Sequence, residues 1–473
     1  MKKHKPQALL AFDFGASSGR GIIGQIREGQ LEITEIHRFQ NLPLQVNGHL
    51  CWDLPTLVSE IKQGVEKALH LYDVQSLAID TWGVDYGLLD AAGQLIHLPY
   101  HYRDGDSQAC FQELIKEIDE QELFMATGNQ VLPMNTLFRF AQDSRVPGHE
   151  AFAKMLLMPD LLGYFLTGVA LGEKTIAATS QMLNPGTLDW HELVTEFGID
   201  LATLPPLGEV GDFLGYLKDP VLPEIPVYKT FGHDTACAVA SVPTLASDFL
   251  FISCGTWALA GTVTKQPYLA ESVRLAGFSN EGGTRENRLL KNLTGLWLIQ
   301  ELQRDLAATG ENYSFQELMA LAEAAVDTVL IDTQAPILAE PGQMLKKIKA
   351  AMQTAGKEAP NLGEVIRCVY QSLAATFQQT FAEIAALTQK DYPVIHVIGG
   401  GAQASFLCQA IADRCQKPVL AGPIEATAMG NLAAQAVGLG QLSSIAAFRQ
   451  QLAASSAIVT YQPRSALVST QGK

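Results

Sequence analysis

The chain has 473 residues, a formal net charge of −16 and 47% hydrophobic residues. Its length predicts two domains, and its negative charge argues against nucleic acid or an anionic membrane as a partner. The seven scattered cysteines favour reduced thiols in a cytoplasmic protein over a disulfide framework. Asp13 and Gly15 interrupt the first apolar run, which argues against a signal peptide, and no apolar stretch is long enough to span a bilayer.

The first half of the chain predicts strands that alternate with helices. The predicted strands cover 8–14, 20–26, 31–39, 74–80 and 227–231, and an apolar run continues over 86–90. The predicted helices cover 54–70, 107–119, 136–143, 155–166 and 235–241. Asp53 is a candidate N-cap, and Gly168 is a candidate helix end. Residues 200–226, rich in Pro and Gly, predict a long connection.

The second half predicts helices over 294–308, 315–326, 361–389, 404–414 and 427–437. Strands are predicted over 394–398 and 418–421. Strands alternating with helices indicate an α/β fold. Pro243 ends a predicted helix and a new apolar run follows, so we predict two domains, residues 1–244 and 245–473.

One pattern occurs twice, at 9–20 and at 249–261. Each copy predicts a buried strand, a glycine turn with small hydroxyl residues, and a second strand. Two such hairpins facing each other can hold a polyphosphate through backbone N–H groups and Ser or Thr hydroxyls. The repeat therefore predicts two related domains with a nucleotide between them.

The first hairpin places Asp13 where the strand gives way to the turn. A carboxylate there can orient water on Mg²⁺, which in turn bridges phosphate oxygens. Ser17, Ser18 and Arg20 could contact phosphate. The alternative is an ordinary hairpin whose Asp and Ser side chains bond the turn backbone; the second copy of the pattern favours the functional interpretation.

A second candidate segment is Phe231-Gly232-His233-Asp234-Thr235. An aspartate at a helix start is most often an N-cap or a first-turn acid. The functional alternative makes Asp234 the base that accepts a proton from a sugar hydroxyl during phosphoryl transfer. In that case Gly232 would let the substrate approach the backbone closely.

The third segment, Asp80-Thr81-Trp82-Gly83-Val84-Asp85, joins two apolar runs. Its polar groups suit the hydroxyls of a sugar, and its indole suits the sugar's C–H face. A buried Trp at a strand end is equally ordinary core, so both interpretations stay open for this segment considered alone.

The fourth segment, Gly399-Gly400-Gly401-Ala402-Gln403-Ala404, matches the dinucleotide fingerprint in form. The strand predicted at 418–421 lacks the acidic residue that would bind a ribose, so an oxidoreductase is disfavoured. A glycine turn on which an adenosine lies explains the pattern equally well. The chain has no P-loop and no His-Glu-x-x-His motif, which disfavours a P-loop ATPase and a zincin.

Taken together, these segments resemble the FGGY family of carbohydrate kinases, which have an actin-like, ribonuclease-H-like fold. The resemblance covers about residues 8 to 440. Six runs carry it: Asp13–Arg20, Asp80–Asp85, Leu132–Leu137, Gly232–Thr235, Asn280–Gly283 and Lys291–Gln300. They look most like the members that phosphorylate the C1 hydroxyl of L-rhamnulose with MgATP. The family often carries a lysine within the segment matching 132–141, where this chain has Leu137, Phe138 and Arg139.

The resemblance implies two actin-like domains with a nucleotide and sugar cleft between them, the sugar on the N-terminal domain and most of ATP on the C-terminal one. It implies Asp234 as catalytic base and Asp13 as the residue that serves Mg²⁺. The residues implied to bind substrate are Trp82, Gly83, His233, Asp234, Thr235 and Asn292, the last near the nucleotide. The residues implied to bind ATP are Ala16, Ser17, Ser18, Gly19, Arg20, Thr256, Gln300, Gly400 and Gly401.

Two alternatives remain at this stage. Another ketose, such as L-fuculose or D-xylulose, could be the substrate, because one hydroxyl's orientation can be read by one side chain. A non-kinase ATPase of the actin type would need no sugar-facing base, and Asp234 argues against it. The expected partners are a small sugar and ATP only, and we expect a monomer or a weak dimer. Whether His233 contacts the sugar or supports Asp234 is open.

Overall fold

The computed structural model describes residues 5–27, 30–145, 152–284, 286–326, 328–454 and 458–464. The chain forms two compact units that are each discontinuous in sequence. The first unit contains Met1–Ser241, Val263–Leu289 and Ala426–Leu452; the second contains Val242–Thr262, Leu290–Glu425 and Ala453–Lys473. Strands and helices occur in both units, so the predicted α/β class is confirmed.

The strands of the described residues are numbered in chain order. They are β1 Gln7–Phe14, β2 Ser18–Arg27, β3 Gln30–Gln40, β4 Leu44–Val46, β5 His49–Cys51, β6 Asp73–Thr81, β7 Tyr86–Asp90, β8 Phe152–Leu157, β9 Gly172–Glu173, β10 Leu207–Gly208, β11 Phe213–Tyr216, β12 Pro226–Tyr228, β13 Leu250–Cys254, β14 Trp257–Thr264, β15 Ser279–Glu281, β16 Asn287–Thr294, β17 Ile395–Ile398, β18 Val419–Ala421 and β19 Val459–Tyr461.

The α-helices are numbered in the same way. They are α1 Leu54–Leu71, α2 Gly105–Leu114, α3 Glu120–Thr127, α4 Thr136–Arg145, α5 Met158–Thr167, α6 Lys174–Ala177, α7 Asp234–Ala240, α8 Glu271–Leu275, α9 Trp297–Ala308, α10 Phe315–Ala324, α11 Pro336–Ala339, α12 Met344–Thr354, α13 Leu362–Thr388, α14 Ser405–Cys415, α15 Ala426–Gly438 and α16 Ile445–Ala453. Within the described part of the chain, no helix has both the length and the apolar composition needed to cross a membrane.

The sheet of the first unit has the strand order β11-β12-β6-β1-β2-β3. β1 is antiparallel to β2 and parallel to β6, and β12 is also parallel to β6. β1 is buried from Ala8 to Phe14, as expected of a central strand that is covered on both faces. The carboxyl ends of β1, β6 and β12 therefore meet at one edge of the sheet, and the segments that follow them form the site described below.

The second hairpin repeats this arrangement. β13 is antiparallel to β14 and parallel to β17, as β1 is antiparallel to β2 and parallel to β6. β17 continues in parallel to β18, and β18 is antiparallel to β19. Helices α10, α13 and α14 pack on one another in the same unit. The repeated hairpin that the sequence predicts is thus present in the structure.

Two local signals near helix ends are confirmed. Asp53 caps α1 by accepting a hydrogen bond from the Thr56 backbone N–H. Gly168 ends α5 in the left-handed conformation, with φ +74°. Both signals depend only on neighbouring residues, which is why the sequence alone reveals them.

The helix predicted over 155–166 is partly wrong. Met155, Leu156 and Leu157 belong to β8, which pairs with β7 in antiparallel register, and α5 begins only at Met158. These three residues are fully buried, and a short buried apolar run does not distinguish helix from strand. The partner strand, far away in the sequence, decides the conformation. Helices α3, α6, α8, α11 and α12 and the short strands within the predicted connection 200–226 were not predicted.

Candidate active site

Three carboxylates come to one edge of the first unit's sheet. Asp13 and Asp80 are partners in the register between β1 and β6. The Thr81 backbone N–H donates to the Gly232 carbonyl at 2.9 Å, so the start of α7, where Asp234 lies, is fixed beside the end of β6. Burial raises the pKa of Asp80, and negative charge on Asp13 and on Asp234 raises it further, as expected of acids held close together.

Asp80 is fully buried, and sequence reasoning gave it no separate role. Its Oδ2 accepts a hydrogen bond from Nδ2 of Asn431 at 2.6 Å. Its Oδ1 is buried and has no hydrogen-bond partner among the described residues. Burial, and after it the charge of Asp13, raises the pKa of this carboxyl well above its usual value. A buried carboxylate oxygen that lacks a partner beside a second carboxylate suits a hard cation or its water shell.

Asp13 makes a close ion pair with Arg20, its register partner on β2. Nη2 of Arg20 donates to Oδ2 of Asp13 at 2.5 Å, so the predicted phosphate-binding Arg20 is anchored by the predicted metal residue. Among the described residues no three His, Cys, Asp or Glu side chains form a metal site by themselves. Mg²⁺ commonly uses one or two carboxylates, waters and substrate phosphates. The residues present therefore fit Mg²⁺ held partly by a nucleotide.

Two hydrogen bonds hold the turn after Asp13. The Gly15 N–H donates to the Ser18 carbonyl at 2.9 Å, and Nδ2 of Asn41 donates to the Gly15 carbonyl at 3.0 Å. Ser17 is exposed, while Ala16 and Ser18 are half-buried. At Gly19 a Cβ would lie 2.1 Å from the Phe39 ring, so only glycine fits there. The turn is thus accessible to solvent at Ala16, Ser17 and Ser18, as a phosphate-binding loop must be.

Asp234 is the first residue of α7, and about a third (34%) of its side chain is exposed. Thr235 donates to its Oδ1 twice, from the backbone N–H at 2.5 Å and from Oγ1 at 3.2 Å. The hydrogen bonds that described residues make to this carboxylate all fall on Oδ1, which leaves Oδ2 for a substrate. Burial raises the pKa of the Asp234 carboxyl, and the charge of His233 opposes this rise. A raised pKa suits a general base.

His233 lies between two carboxylates. Its Nε2 is 3.3 Å from Oδ1 of Asp234, and its Nδ1 is 3.1 Å from Oε2 of Glu281. Burial opposes the charged imidazolium, but the charge of Glu281 and its hydrogen bond, together with the charge of Asp234, leave the pKa of His233 raised. The structure thus places His233 beside Asp234 and in contact with it.

Glu281 extends this chain of contacts, and sequence reasoning missed its role. Its carboxylate also lies 3.8 Å from Nε of the buried Arg288, whose Nη2 donates to the Gly282 carbonyl at 2.9 Å. Burial opposes ionisation of Glu281, but the charges of His233 and Arg288 hold its pKa below the usual value. The only signal for Glu281 in the sequence was the run Asn280–Gly283, one of the six that carry the family resemblance, and that run suggested no chemical role for Glu281.

The indole of Trp82 is part of the core, and its nitrogen is hydrogen-bonded there. Nε1 of Trp82 and Nε1 of Trp52 both donate to Oδ2 of Asp85, at 2.9 and 2.6 Å, and the two rings lie 4.1 Å apart. Trp82 is almost fully buried. The indole nitrogen is therefore already occupied, and the contact of Trp82 with substrate stays a prediction.

Asp85 supplies a prediction about pH. Burial raises the pKa of Asp85 to about 7, from an ordinary value near 3.8. Between about pH 4 and pH 7 the folded protein keeps a proton that the unfolded chain has lost, so stability falls as pH rises through this window. The free energy of unfolding that is lost at Asp85 across this window is at most about 4 kcal/mol, at 1.36 kcal/mol per pKa unit.

We expect Asp85→Asn to remove this loss of stability at high pH. The melting temperature of the variant relative to the native chain should rise when pH is raised from 4.5 to 8, measured by circular dichroism in one buffer series. An identical difference in melting temperature at both pH values would show that Asp85 does not carry the proton.

In the second unit, the turn after β13 is bonded to the start of α9. The Gly295 and Trp297 N–H groups both donate to the Thr256 carbonyl at 3.1 Å. Oγ1 of Thr256 donates to Oε1 of Gln300 at 3.0 Å. A Cβ at Gly295 would lie 2.6 Å from the Trp257 backbone, so glycine is required. Two residues predicted to bind ATP, Thr256 and Gln300, are thus in direct contact.

The glycine turn after β17 lies on β13. Gly399 has φ +78°, and a Cβ on Gly401 would lie 2.5 Å from Sγ of Cys254. Gly400 is exposed, and a Cβ there would meet nothing within 4 Å. A short 3-10 helix, Gly400–Gln403, leads into α14. The turn is therefore a smooth backbone surface next to the second hairpin, which suits a flat ligand.

Asn292 is an exposed residue of β16 in the second unit. Its contact with substrate stays a prediction. The structure brings together, within the first unit, Asp13 with Arg20 and His233 with Asp234 and Thr235. Within the second unit it joins Thr256 to Gln300.

Comparison with known proteins places this geometry in a family. Residues 8–240 match the N-terminal domain of the FGGY family of carbohydrate kinases, and residues 250–439 match its C-terminal domain. The chain is 36% identical to a rhamnulokinase of Bacteroides thetaiotaomicron, covering 97% of this chain and 96% of that one. It is 38% identical to a rhamnulokinase of Enterococcus faecalis, covering 98% and 96%. A ligand-bound xylulose kinase from Lactobacillus acidophilus has the same fold, with a TM-score of 0.80, 15% identity, and 97% and 94% coverage.

Proposed function

This chain belongs to the FGGY family of carbohydrate kinases, and we propose that it transfers the γ-phosphoryl group of ATP to the C1 hydroxyl of L-rhamnulose. The products are L-rhamnulose 1-phosphate and ADP, in the breakdown of L-rhamnose. The observation that carries the proposal is the similarity to curated rhamnulokinases along almost the whole chain, at 36% and 38% identity. L-Fuculose and D-xylulose are the alternative substrates, and no observation favours either.

The proposed base is Asp234. Its Oδ1 is held by Thr235 and its Oδ2 is available, so the carboxylate can accept the C1 hydroxyl proton without moving its backbone. As that proton leaves, the C1 oxygen forms a bond to the γ-phosphorus, and the bond from phosphorus to the bridging oxygen of ADP breaks. Phosphoryl transfer relies mainly on positioning and on charge stabilisation. Asp234 therefore acts together with its neighbours, and His233 keeps it oriented.

The proposed phosphate contacts are the amides and hydroxyls of the turn at Ala16–Gly19 and the guanidinium of Arg20. The ion pair with Asp13 fixes Arg20 before the nucleotide arrives, which lowers the cost of ordering the site. Bound Mg²⁺ would neutralise charge on the phosphates, and Asp13 and the unpartnered Oδ1 of Asp80 would hold it directly or through water.

The proposed ATP contacts in the second unit are Thr256, Gln300, Gly400 and Gly401. The hydrogen bond between Thr256 and Gln300 uses the carbonyl oxygen of the Gln300 amide, so the NH₂ group of that amide can donate to a phosphate while the bond is kept. The open surface at Gly400 would receive the adenosine. The close packing of Gly401 against Cys254 would fix the position of that surface relative to β13.

Gly401→Ala supplies a prediction for this half of the site. The added methyl would overlap Cys254, and overpacking costs about 1–3 kcal/mol. We expect the KM for ATP to rise about tenfold while the KM for sugar changes little. Gly105→Ala is the matched control, because a Cβ at Gly105 meets nothing within 4 Å. An unchanged KM for ATP in Gly401→Ala would argue against adenosine at this turn.

Two further parts of the proposal concern the protein in solution. We place it in the cytoplasm on the strength of its seven cysteines, since the described residues contain no disulfide. We expect a monomer or a weak dimer, which sedimentation at several protein concentrations would decide.

Identification of the product tests the reaction itself. The protein is incubated with MgATP and L-rhamnulose, and the product is examined by phosphorus NMR. We expect a phosphate monoester coupled to the two protons of the C1 methylene. Inorganic phosphate as the only new signal besides those of ADP would indicate an ATPase, and a monoester coupled to a single proton would place the phosphate at another carbon.

A further inference from the structure

Val84 has an unusual backbone conformation directly after Gly83. Its φ is +69°, in the left-handed region, whereas a β-branched residue almost never adopts a positive φ. Such strain persists only where the surroundings enforce it, and it collects at functional sites. Glycine would take this conformation without strain. The chain nevertheless has a valine here, half-buried, in the segment assigned to the sugar.

Two threonine hydroxyls hold Val84 in this conformation. Oγ1 of Thr136 donates to the Val84 carbonyl at 2.6 Å, and the Val84 N–H donates to Oγ1 of Thr179 at 3.1 Å. Both threonines are buried. Thr136 is the first residue of α4, and Thr179 follows α6, so two segments distant in sequence hold the two peptide groups that flank the Cα of Val84.

The same two segments also hold each other. Nδ2 of Asn135 donates to Oε1 of Gln181 at 2.6 Å, and the Leu137 N–H donates to the Ser180 carbonyl at 3.1 Å. Gln181 is fully buried and has its own positive φ of +62°. The clamp on Val84 is therefore built on a rigid base rather than on two independent loops.

Thr179 also restricts Gly83. A Cβ at Gly83 would lie 3.1 Å from the Cβ, Cγ2 and Oγ1 atoms of Thr179, which leaves little room for any side chain. The path of the chain through Gly83 and Val84 is thus set by Thr179 on one side and by Thr136 on the other. A backbone fixed in this way can present one defined surface to a ligand.

We propose that Thr136 and Thr179 are positioning residues for the sugar, which clamp Val84 in the left-handed conformation so that the Gly83–Val84 backbone receives the ketose in a fixed geometry. The proposal rests on the proposed function, because it takes the ketose as the ligand at Gly83. It assigns no chemical step to the threonines; they act through Val84.

Four variants test the clamp: Thr136→Val, Thr136→Ser, Val84→Gly and the double variant Val84→Gly/Thr136→Val. Thr136→Val removes the hydroxyl with little change of shape, whereas Thr136→Ser keeps it and is the matched control. Thr136 is preferred to Thr179 for this test, because Oγ1 of Thr179 also donates to the Ile176 carbonyl. The KM values for L-rhamnulose and for ATP are measured for each protein.

We expect Thr136→Val to raise the KM for L-rhamnulose about five- to tenfold, the effect of losing one hydrogen bond to a buried group, and to leave the KM for ATP unchanged. Thr136→Ser should stay near the native values. Adding Val84→Gly to Thr136→Val should recover several-fold of the loss, because glycine needs no clamp. A native-like KM for Thr136→Val, or a Val84→Gly effect that is equal in both backgrounds, overturns the proposal.

Thermal unfolding of the same four proteins separates this proposal from the proposed function. If the native chain shows no activity with L-rhamnulose, the proposed function fails and the sugar role fails with it. The clamp then stands if Val84→Gly raises the melting temperature more in the Thr136→Val background than in the native one, and falls if the two shifts are equal.

Discussion

Asp234→Asn should lower kcat by about 10²- to 10⁴-fold, the usual contribution of a general base. Asparagine keeps the shape of the side chain, and its amide oxygen can still accept the two hydrogen bonds from Thr235. It cannot accept the proton of the sugar hydroxyl. The KM for ATP should remain near its native value, because the nucleotide contacts assigned above do not involve this carboxylate.

The pH profile gives a second readout for Asp234. Burial raises the pKa of this carboxyl, and the base works only when ionised, so native kcat/KM should fall as pH is lowered through that pKa, above the ordinary value of 3.8. The residual activity of Asp234→Asn should lack this acidic limb. Asp391→Asn serves as control, because that carboxylate is 90% exposed and pairs with Lys417. Near-native turnover in Asp234→Asn would remove the base from the mechanism.

Asp13→Asn should lower kcat by about 10²-fold or more, the scale observed when one preorganised electrostatic group is removed. Two effects combine in this variant. One carboxylate of the pair proposed to hold Mg²⁺ is neutralised, and Arg20 loses the ion pair that fixes it. We therefore expect the Mg²⁺ concentration at half-maximal activity to rise clearly, because a neutral amide binds a hard divalent cation more weakly than a carboxylate does.

Mg²⁺ titration at saturating sugar and ATP measures both effects. Arg20→Lys is the companion variant: it keeps a positive charge near Asp13 and leaves the carboxylate in place, so it should disturb kcat without a comparable change in the Mg²⁺ requirement. A Mg²⁺ requirement in Asp13→Asn equal to that of the native chain would mean that Asp13 orders Arg20 and does not serve the metal.

The sequence was sufficient wherever neighbouring residues decide the structure. The hairpin at Asp13–Arg20 and its repeat at 249–261 combine a buried apolar run with a glycine turn, and both form as predicted. The Asp53 cap and the Gly168 helix end depend on one turn of chain each. These features could be predicted because the interactions that stabilise them are local.

The sequence failed where distant partners decide. Met155–Leu157 form a strand because β7 pairs with them, and their apolar pattern carries no sign of that pairing. The contact of His233 with Glu281 joins residues 48 positions apart, and the contact of Asp80 with Asn431 joins residues 351 apart. The sequence pattern therefore could not predict the surroundings of the Asp80 carboxylate or the contacts of His233 with Asp234 and Glu281. Assignment of the candidate residues to sugar, ATP and Mg²⁺, and a domain boundary near residue 244, stay predictions.

The most direct measurement is ADP release with MgATP and each of four sugars: L-rhamnulose, L-fuculose, D-xylulose and L-ribulose. We predict the highest kcat/KM for L-rhamnulose, by at least about tenfold over the others, which corresponds to about 1.4 kcal/mol of discrimination in the transition state. ADP release should depend on sugar throughout. A higher kcat/KM for another ketose, or ADP release that does not depend on sugar, would contradict the account.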